Sequence, residues 1–256
     1  RNWNLDNWGE DVIALDIDAG IYLWDTSGGI TTASNVASAI TNAPTKSKFM
    51  IVSNPDRHLI CFGTESTIGT KSTQDPMFIR WSDQDDFNSW TASATNSAGS
   101  QRVTGGSKIV TAVSTRGQIL FLTDTSAHGM SFIGAPFTFG FQKLGTNCGA
   151  VSPHCAVDIS GIIYWMSSDG FYMFDGTVRK MPCTVEDFVF DNIDTTQLEQ
   201  VYAGSNSAYG EVMWFYCSTD SNQIDRYVIF NYQENLWYTG SLDRSTWIDS
   251  GTYSLP

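Results

Sequence analysis

The chain has 256 residues, with 27 acidic against 14 basic side chains, a net charge of -13 and 41% hydrophobic residues, of which the aromatics make up a large part. That composition excludes a disordered chain, and the absence of any Lys/Arg run longer than Arg179-Lys180 excludes a phosphate-gripping nucleic-acid surface. No stretch approaches the ~20 apolar residues of a membrane-spanning helix, and five scattered cysteines without a CxxC pair fit neither a disulfide framework nor a zinc knuckle.

Read in chain order, the sequence repeats one unit. An apolar strand, a tight turn and a second strand ending in Trp or Phe recur as VIALDIDAG-IYLW, FMIVSNPDRH-LICF, IVTAVSTRG-QILF, CAVDISG-IIYW and VYAGSNSAYG-EVMW. Gly, Asp, Asn and Pro stand where hairpin turns need them. The second strands begin near residues 20, 58, 117, 161 and 210, a spacing close to the ~40 to 50 residues of a propeller blade. Third strands are predicted at PMFIRWS, HGMSFIG, GFYMFDG and DRYVIFNY, and fourth strands at NSWTA, FTFGFQKL, TVRKMP and NLWYTG. The ends, 1–9 and 245–251, are expected to form or border a sixth blade. Helical turns are expected only in SNVASAITNA and TTQLEQVYA. The pattern predicts an all-β, β-propeller-like domain of about five to six blades over 1–256, with a β-sandwich as its competitor.

Residue types able to carry chemistry are present without a convincing pattern. Asp16, Asp18 and Asp25 lack a DxDxDG calcium loop. Asp83, Asp85 and Asp86, between Trp81 and Trp90, offer carboxylates for glycoside hydrolysis, but their closeness on one turn favours capping of backbone amides. SSDGFYMF misplaces the Gly of a sialidase Asp box. His58, His128 and His154 have no Ser or Cys nucleophile in a GxSxG-type turn, and the intervals among Cys148, His154 and Cys155 match no metal-ligand spacing. GAPFTFGF and GTNCGA lack the strand-turn-helix setting of a phosphate cradle. Trp24, Phe62, Phe121, Trp165 and Trp214 read as core, and Trp81, Trp90 and the turn 145–149 as packing positions that close blades. No residue is assigned to catalysis, to a cofactor or to a metal, and the cysteines (Cys61, Cys148, Cys155, Cys183, Cys217) read as buried thiols of a reducing compartment.

Several segments are more specific than their composition. RNWNLDNWGED, RWSDQDDFNSWTASATNSAGSQ, FIGAPFTFGFQKLGTNCGAVSPHCAV, YWMSSDGFYMFDG and DRYVIFNYQENLWYTG, taken in this order, resemble the tail-hub or nozzle (packaged-DNA stabilisation) proteins of short-tailed bacteriophages. The resemblance implies a non-enzymatic virion subunit, assembled in the host cytoplasm into a ring, expected to be a hexamer. It would sit below the portal or adaptor and extend the DNA channel. It would retain the packaged genome, pass genomic dsDNA without reading its sequence, and contact tail fibres, spikes or a plug. Members of that family carry further ring-forming or docking regions, and a chain that begins at Arg1 is expected to be part of a longer one. The excess acidity suits a conduit that repels passing phosphates, and equally a soluble virion protein. A carbohydrate-binding propeller that displays Trp81 and Trp90 to host glycans is the alternative.

Overall fold

The computed structural model describes residues 3–30, 36–54, 56–244 and 246–249. Its strands fall, in chain order, into five antiparallel sheets of four, each a simple up-and-down meander. The first contains β1 (Trp3–Trp8), β2 (Asp11–Asp16), β3 (Ile21–Trp24) and β4 (Ser38–Ala39), and the second β5 (Phe49–Val52), β6 (Leu59–Phe62), β7 (Phe78–Trp81) and β8 (Gly99–Arg102). The third runs β9 (Ile109–Thr115), β10 (Gln118–Thr123), β11 (Ser126–Gly134) and β12 (Thr138–Thr146). The fourth holds β13 (Ala156–Ile159), β14 (Ile162–Ser167), β15 (Gly170–Phe174) and β16 (Val178–Lys180), and the fifth β17 (Tyr202–Asn206), β18 (Glu211–Tyr216), β19 (Arg226–Asn231) and β20 (Leu236–Ser241). One α-helix, α1 (Glu186–Asn192), stands between the last two sheets in sequence. The architecture is β-propeller-like.

The residues divide into two compact units, one of 1–121 and 129–142, the other of 122–128 and 143–256. In the first unit, β1 lies beside β5 and β5 beside β9, so the first strand of one sheet neighbours the first strand of the next. Side chains make the join: Asn4 Oδ1 accepts the Met50 amide and Asp6 Oδ2 the Val52 amide, each at 2.7 Å. This explains the alternation of β1, whose polar positions 4 and 6 turn toward backbone donors that a strand ladder leaves free. Two cores fill this unit. Ile60, Phe62, Ile79, Trp81 and Phe121 belong to one, and Trp8, Ile13, Leu15, Leu59 and Trp90 to the other.

The second unit repeats the arrangement. β13 neighbours β17, and the Ala203 amide donates to the His154 carbonyl at 2.7 Å. Strand β14 is buried along almost its whole length, as an unbroken apolar run requires. Phe171 packs against both Trp214 and Trp237, its ring centroid 4.8 Å from each, and the two indoles stack on one another at 6.1 Å. The indole N–H groups of Trp165, Trp214 and Trp237 donate to the carbonyls of Cys148, Cys155 and Pro182 at 2.8 to 3.0 Å. A buried tryptophan here therefore packs with its ring and ties down a loop with its nitrogen.

All five predicted hairpins are present, and so are all four predicted third strands. Four details differ. In the first sheet the repeated hairpin supplies the second and third strands, because 3–8 pairs in front of it as β1; Trp24 is in consequence only half-buried, whereas Phe62, Phe121, Trp165 and Trp214 are interior. The segment NSWTA forms no strand, and Gly99–Arg102 takes the fourth position of the second sheet instead. Of residues 1–9 the described part, 3–9, supplies the first strand of the first sheet and makes no sixth blade, and of 245–251 the described part, 246–249, lies against β17 through Trp247; the rest falls outside the described residues. The helix in EDFVFDN went unpredicted, while TTQLEQVYA holds one 3-10 turn, Leu198–Gln200, followed by β17. Of SNVASAITNA, positions 38–39 form β4, and 34–35 lie outside the described residues.

Candidate functional site

The strongest chemical constellation lies in the first unit, at residues that are far apart in sequence. The β5–β6 turn carries Asp56 and His58, the loop after β7 carries Asp83, and Ser97 stands just before β8. His58 Nδ1 is 3.1 Å from Asp56 Oδ2, and its Nε2 is 3.0 Å from Ser97 Oγ. This is the order of a Ser-His-Asp triad, with the imidazole fully buried and Ser97 on the wall of an open pocket of about 600 Å³.

Occupancy at the oxygen decides what the arrangement can do. Ser97 Oγ donates to Asp83 Oδ1 at 2.6 Å and accepts the Gln84 amide at 2.9 Å. Its single proton is therefore directed away from the histidine, one acceptor position is taken by the Gln84 amide, and the position that remains faces His58 Nε2. A nucleophile must hand its proton to the base and keep a lone pair open toward substrate; Ser97 does neither. Its backbone is tied as firmly, for its N–H donates to Asp83 Oδ1, and its carbonyl accepts both Trp81 Nε1 and Thr138 Oγ1 at 2.9 Å. The geometry is that of a staple joining the β5–β6 turn, the loop after β7 and the β11–β12 turn.

The electrostatics agree with that role. Burial is the largest influence on His58 and pushes its pKa below the ordinary value, against the weaker upward pull of Asp56 and Asp83. Burial alone would raise Asp83, but hydrogen bonds from Ser97 and Gln84 outweigh it and hold the carboxyl below its usual range. Asp83 is thus a carboxylate spent on backbone and hydroxyl donors, Asp86 Oδ1 accepts the Asn88 amide at 2.8 Å, and Asp85 pairs with Arg57 at 3.5 Å. Asp83 and Asp86 take the capping roles expected for the acidic turn, and Asp85 forms an ion pair instead. Trp81 and Trp90 are 4% and 2% exposed, so neither can be a platform for a sugar; both pack in the interior, as expected of positions that close blades.

The remaining candidates are also used internally. Asp18 pairs with Lys48 at 2.5 Å and accepts Gln74 Nε2, and Asp25 caps Ser27. In the second unit the Cys155 thiol donates to the Met166 carbonyl, while the His154 ring tilts against Tyr202. Among the described residues no group of three or more His, Cys, Asp or Glu could hold a metal ion. Cys61, Cys148, Cys155 and Cys217 are buried free thiols and Cys183 is half-buried; burial pushes Cys61 up to about 12. The turn 145–149 is fixed because a Cβ on Gly149 would stand 2.2 Å from the Asp124 carbonyl carbon. Sequence reasoning passed over Asp56 and Ser97. The spacing of Asp56 and His58 on one turn was the only local signal, since Ser97 follows 39 residues later.

No family model matches this chain, and no curated protein does. Among solved structures, it is similar to a chain of the S. cerevisiae complex of Dbp5 with Nup159, Gle1, IP6 and ADP, with a TM-score of 0.53 and 8% identity over 94% of this chain and 60% of that one. It is also similar to the AfRom2 CNH domain, with a TM-score of 0.49 and 10% identity over 94% of this chain and 84% of that one. At such identities the likeness concerns the fold alone.

Proposed function

We propose that this chain is a non-catalytic structural subunit of the tail of a short-tailed bacteriophage, part of the nozzle or hub that continues the portal–adaptor channel. It assembles with copies of itself into a ring, expected to be a hexamer, retains packaged DNA and conducts it during ejection. The observation that carries this reading is the ordered set of segments running from RNWNLDNWGED to NLWYTG. The side chains that could do chemistry support it, since Asp83, Ser97, Asp18 and Cys155 are each engaged in holding loops.

The first strands of the five sheets carry no Lys or Arg, and their acidic residues, Asp6 and Asp158, cap the amides of Val52 and Gly161. Immunogold labelling of intact particles tests the proposal: label at the tail is expected, and protein found only free in the lysate would overturn it. The glycan-binding alternative loses its proposed platform with the burial of Trp81 and Trp90, and glycan-array binding by the monomer would be needed to restore it.

A further inference from the structure

Asp83 uses only one of its two carboxylate oxygens. Oδ1 accepts the amides of Ser97 and Gln84 and the Ser97 hydroxyl, while Oδ2 takes no hydrogen bond from any described residue. Asp83 lines the open pocket of about 600 Å³, and among the described residues that do so it is the single charged one. Its carboxyl is held below the usual range, so the pocket carries a negative charge at neutral pH. The other walls add acceptors and one apolar surface. Thr95 Oγ1 meets only Ser93 Oγ, at 3.2 Å, which leaves at least one lone pair open on the threonine. The Phe132 ring is 44% exposed and rests on the rings of His58 and Phe139 at 5.7 and 5.8 Å. Both walls are fixed from within the fold. The Asn96 side chain accepts the Ser93 amide and donates to the Thr91 carbonyl, each at 2.9 Å, and Thr138 Oγ1 ties the opposite wall to the Ser97 carbonyl. A pocket shaped in this way loses little entropy when it is filled.

Charge selects the ligand class. An anion is repelled both by Asp83 and by the net charge of -13. A purely apolar group strips water from the carboxylate and replaces it with nothing, and a neutral alcohol gains a hydrogen bond without the charge assistance that strengthens it. A primary ammonium has three donors for Oδ2 and the hydroxyl oxygens of the wall, and its charge is attracted to an aromatic face. We propose that this pocket binds a primary alkylammonium group, with its nitrogen at Asp83 Oδ2 and its stem along Phe132. A free diamine and the lysine side chain of a peptide present the same chemistry. The proposal goes beyond the tail reading and does not depend on it.

Amide NMR titration of the chain with putrescine and, separately, with N-acetyl-lysine methylamide tests it, against butanediol and succinate at matched ionic strength. Saturable shifts at Gln84 and residues 93–97 are expected with at least one amine and with neither control, and the tighter amine identifies the source. Asp83→Asn keeps an oxygen for the donors that Oδ1 accepts and is expected to weaken binding by at least roughly 10-fold, as loss of a hydrogen bond to a charged group does. If that variant does not fold, Phe132→Leu replaces it, with an expected loss of about 3-fold, the contribution of an exposed cation–π contact. No saturable shift with either amine, equal binding of butanediol, or amine binding indifferent to the substitution would overturn the proposal.

Discussion

Ser97→Ala separates a staple from a catalytic serine. The substitution removes only Oγ and with it three contacts, to His58, Asp83 and the Gln84 amide. Asp83 keeps two backbone donors, from Ser97 and Gln84, and the exposed Gln84 amide can turn to water. His58 Nε2 cannot, since the ring is fully buried. A hydrogen bond to a carboxylate contributes about 1.5 to 3 kcal/mol and a buried group left unpaired costs about 1 to 3 kcal/mol. With Asp83 partly compensated, the expected loss is about 3 kcal/mol. At the ~2 to 4 °C per kcal/mol usual for a chain of this size, the midpoint falls by roughly 6 to 12 °C. Urea titration at pH 7.5, with the slope constrained to wild type, gives the free energy. Ser93→Ala, at an exposed serine of the same loop, should stay within about 0.5 kcal/mol. A Ser97→Ala protein as stable as wild type would refute the staple, and a serine-specific fluorophosphonate that labelled wild type would show a nucleophile in its place.

Burial holds the His58 pKa below its unfolded value, so the unfolded chain binds the proton more readily. The stability from a neutral His58 is complete above about pH 6.5 and is lost as pH falls through that value toward the folded pKa; His58→Gln should flatten the part of the urea-midpoint curve below about pH 6.5 that His154, also shifted down by burial, leaves unexplained. The depressed Asp18, Asp75 and Asp83 contribute in a separate window, from about pH 4 downward, which the same curve resolves. Gly149→Ala should lose about 3 kcal/mol or more, since backbone atoms of Asp124 block the new methyl, whereas Gly117→Ala, at φ +83° in open space, should lose only about 1 to 2 kcal/mol; equal midpoints for the two would contradict the steric argument. Iodoacetamide should modify Cys183 first in the folded chain and all five cysteines after denaturation, because Cys61 and Cys155 are wholly buried as well as raised in pKa; rapid native labelling of Cys61, read by mass spectrometry, would go against it.

The hairpin repeat was legible because its cause is local. Alternating or unbroken apolar runs select strands, turn residues join neighbours, and a strand such as IIYWM can only be stable when covered on both faces. Four-stranded sheets in chain order follow from that repetition. The capping role of two of the WSDQDDFNSW carboxylates was also readable, because Asp83 and Asp86 reach amides within their own turn, whereas the Asp85 ion pair with Arg57 was not.

What the tertiary structure decided involves residues brought together from distant parts of the chain. Periodicity could not place 3–8 ahead of the first hairpin, because β1 turns its polar positions, Asn4 and Asp6, toward amides some 46 residues away. Nor could it choose Gly99–Arg102 over NSWTA as a fourth strand: Trp90 belongs to a core, while Gly99 leaves room for the Trp81 ring, which a Cβ would meet at 2.5 Å. Ser97 carries no signal of its own in TASATNSAG, and it becomes the tie among three loops only because folding brings His58 and Asp83 to it. Local sequence sets the strands, since their hydrogen bonds and side-chain faces have short-range periods; which polar groups are left to meet one another depends on how the sheets pack.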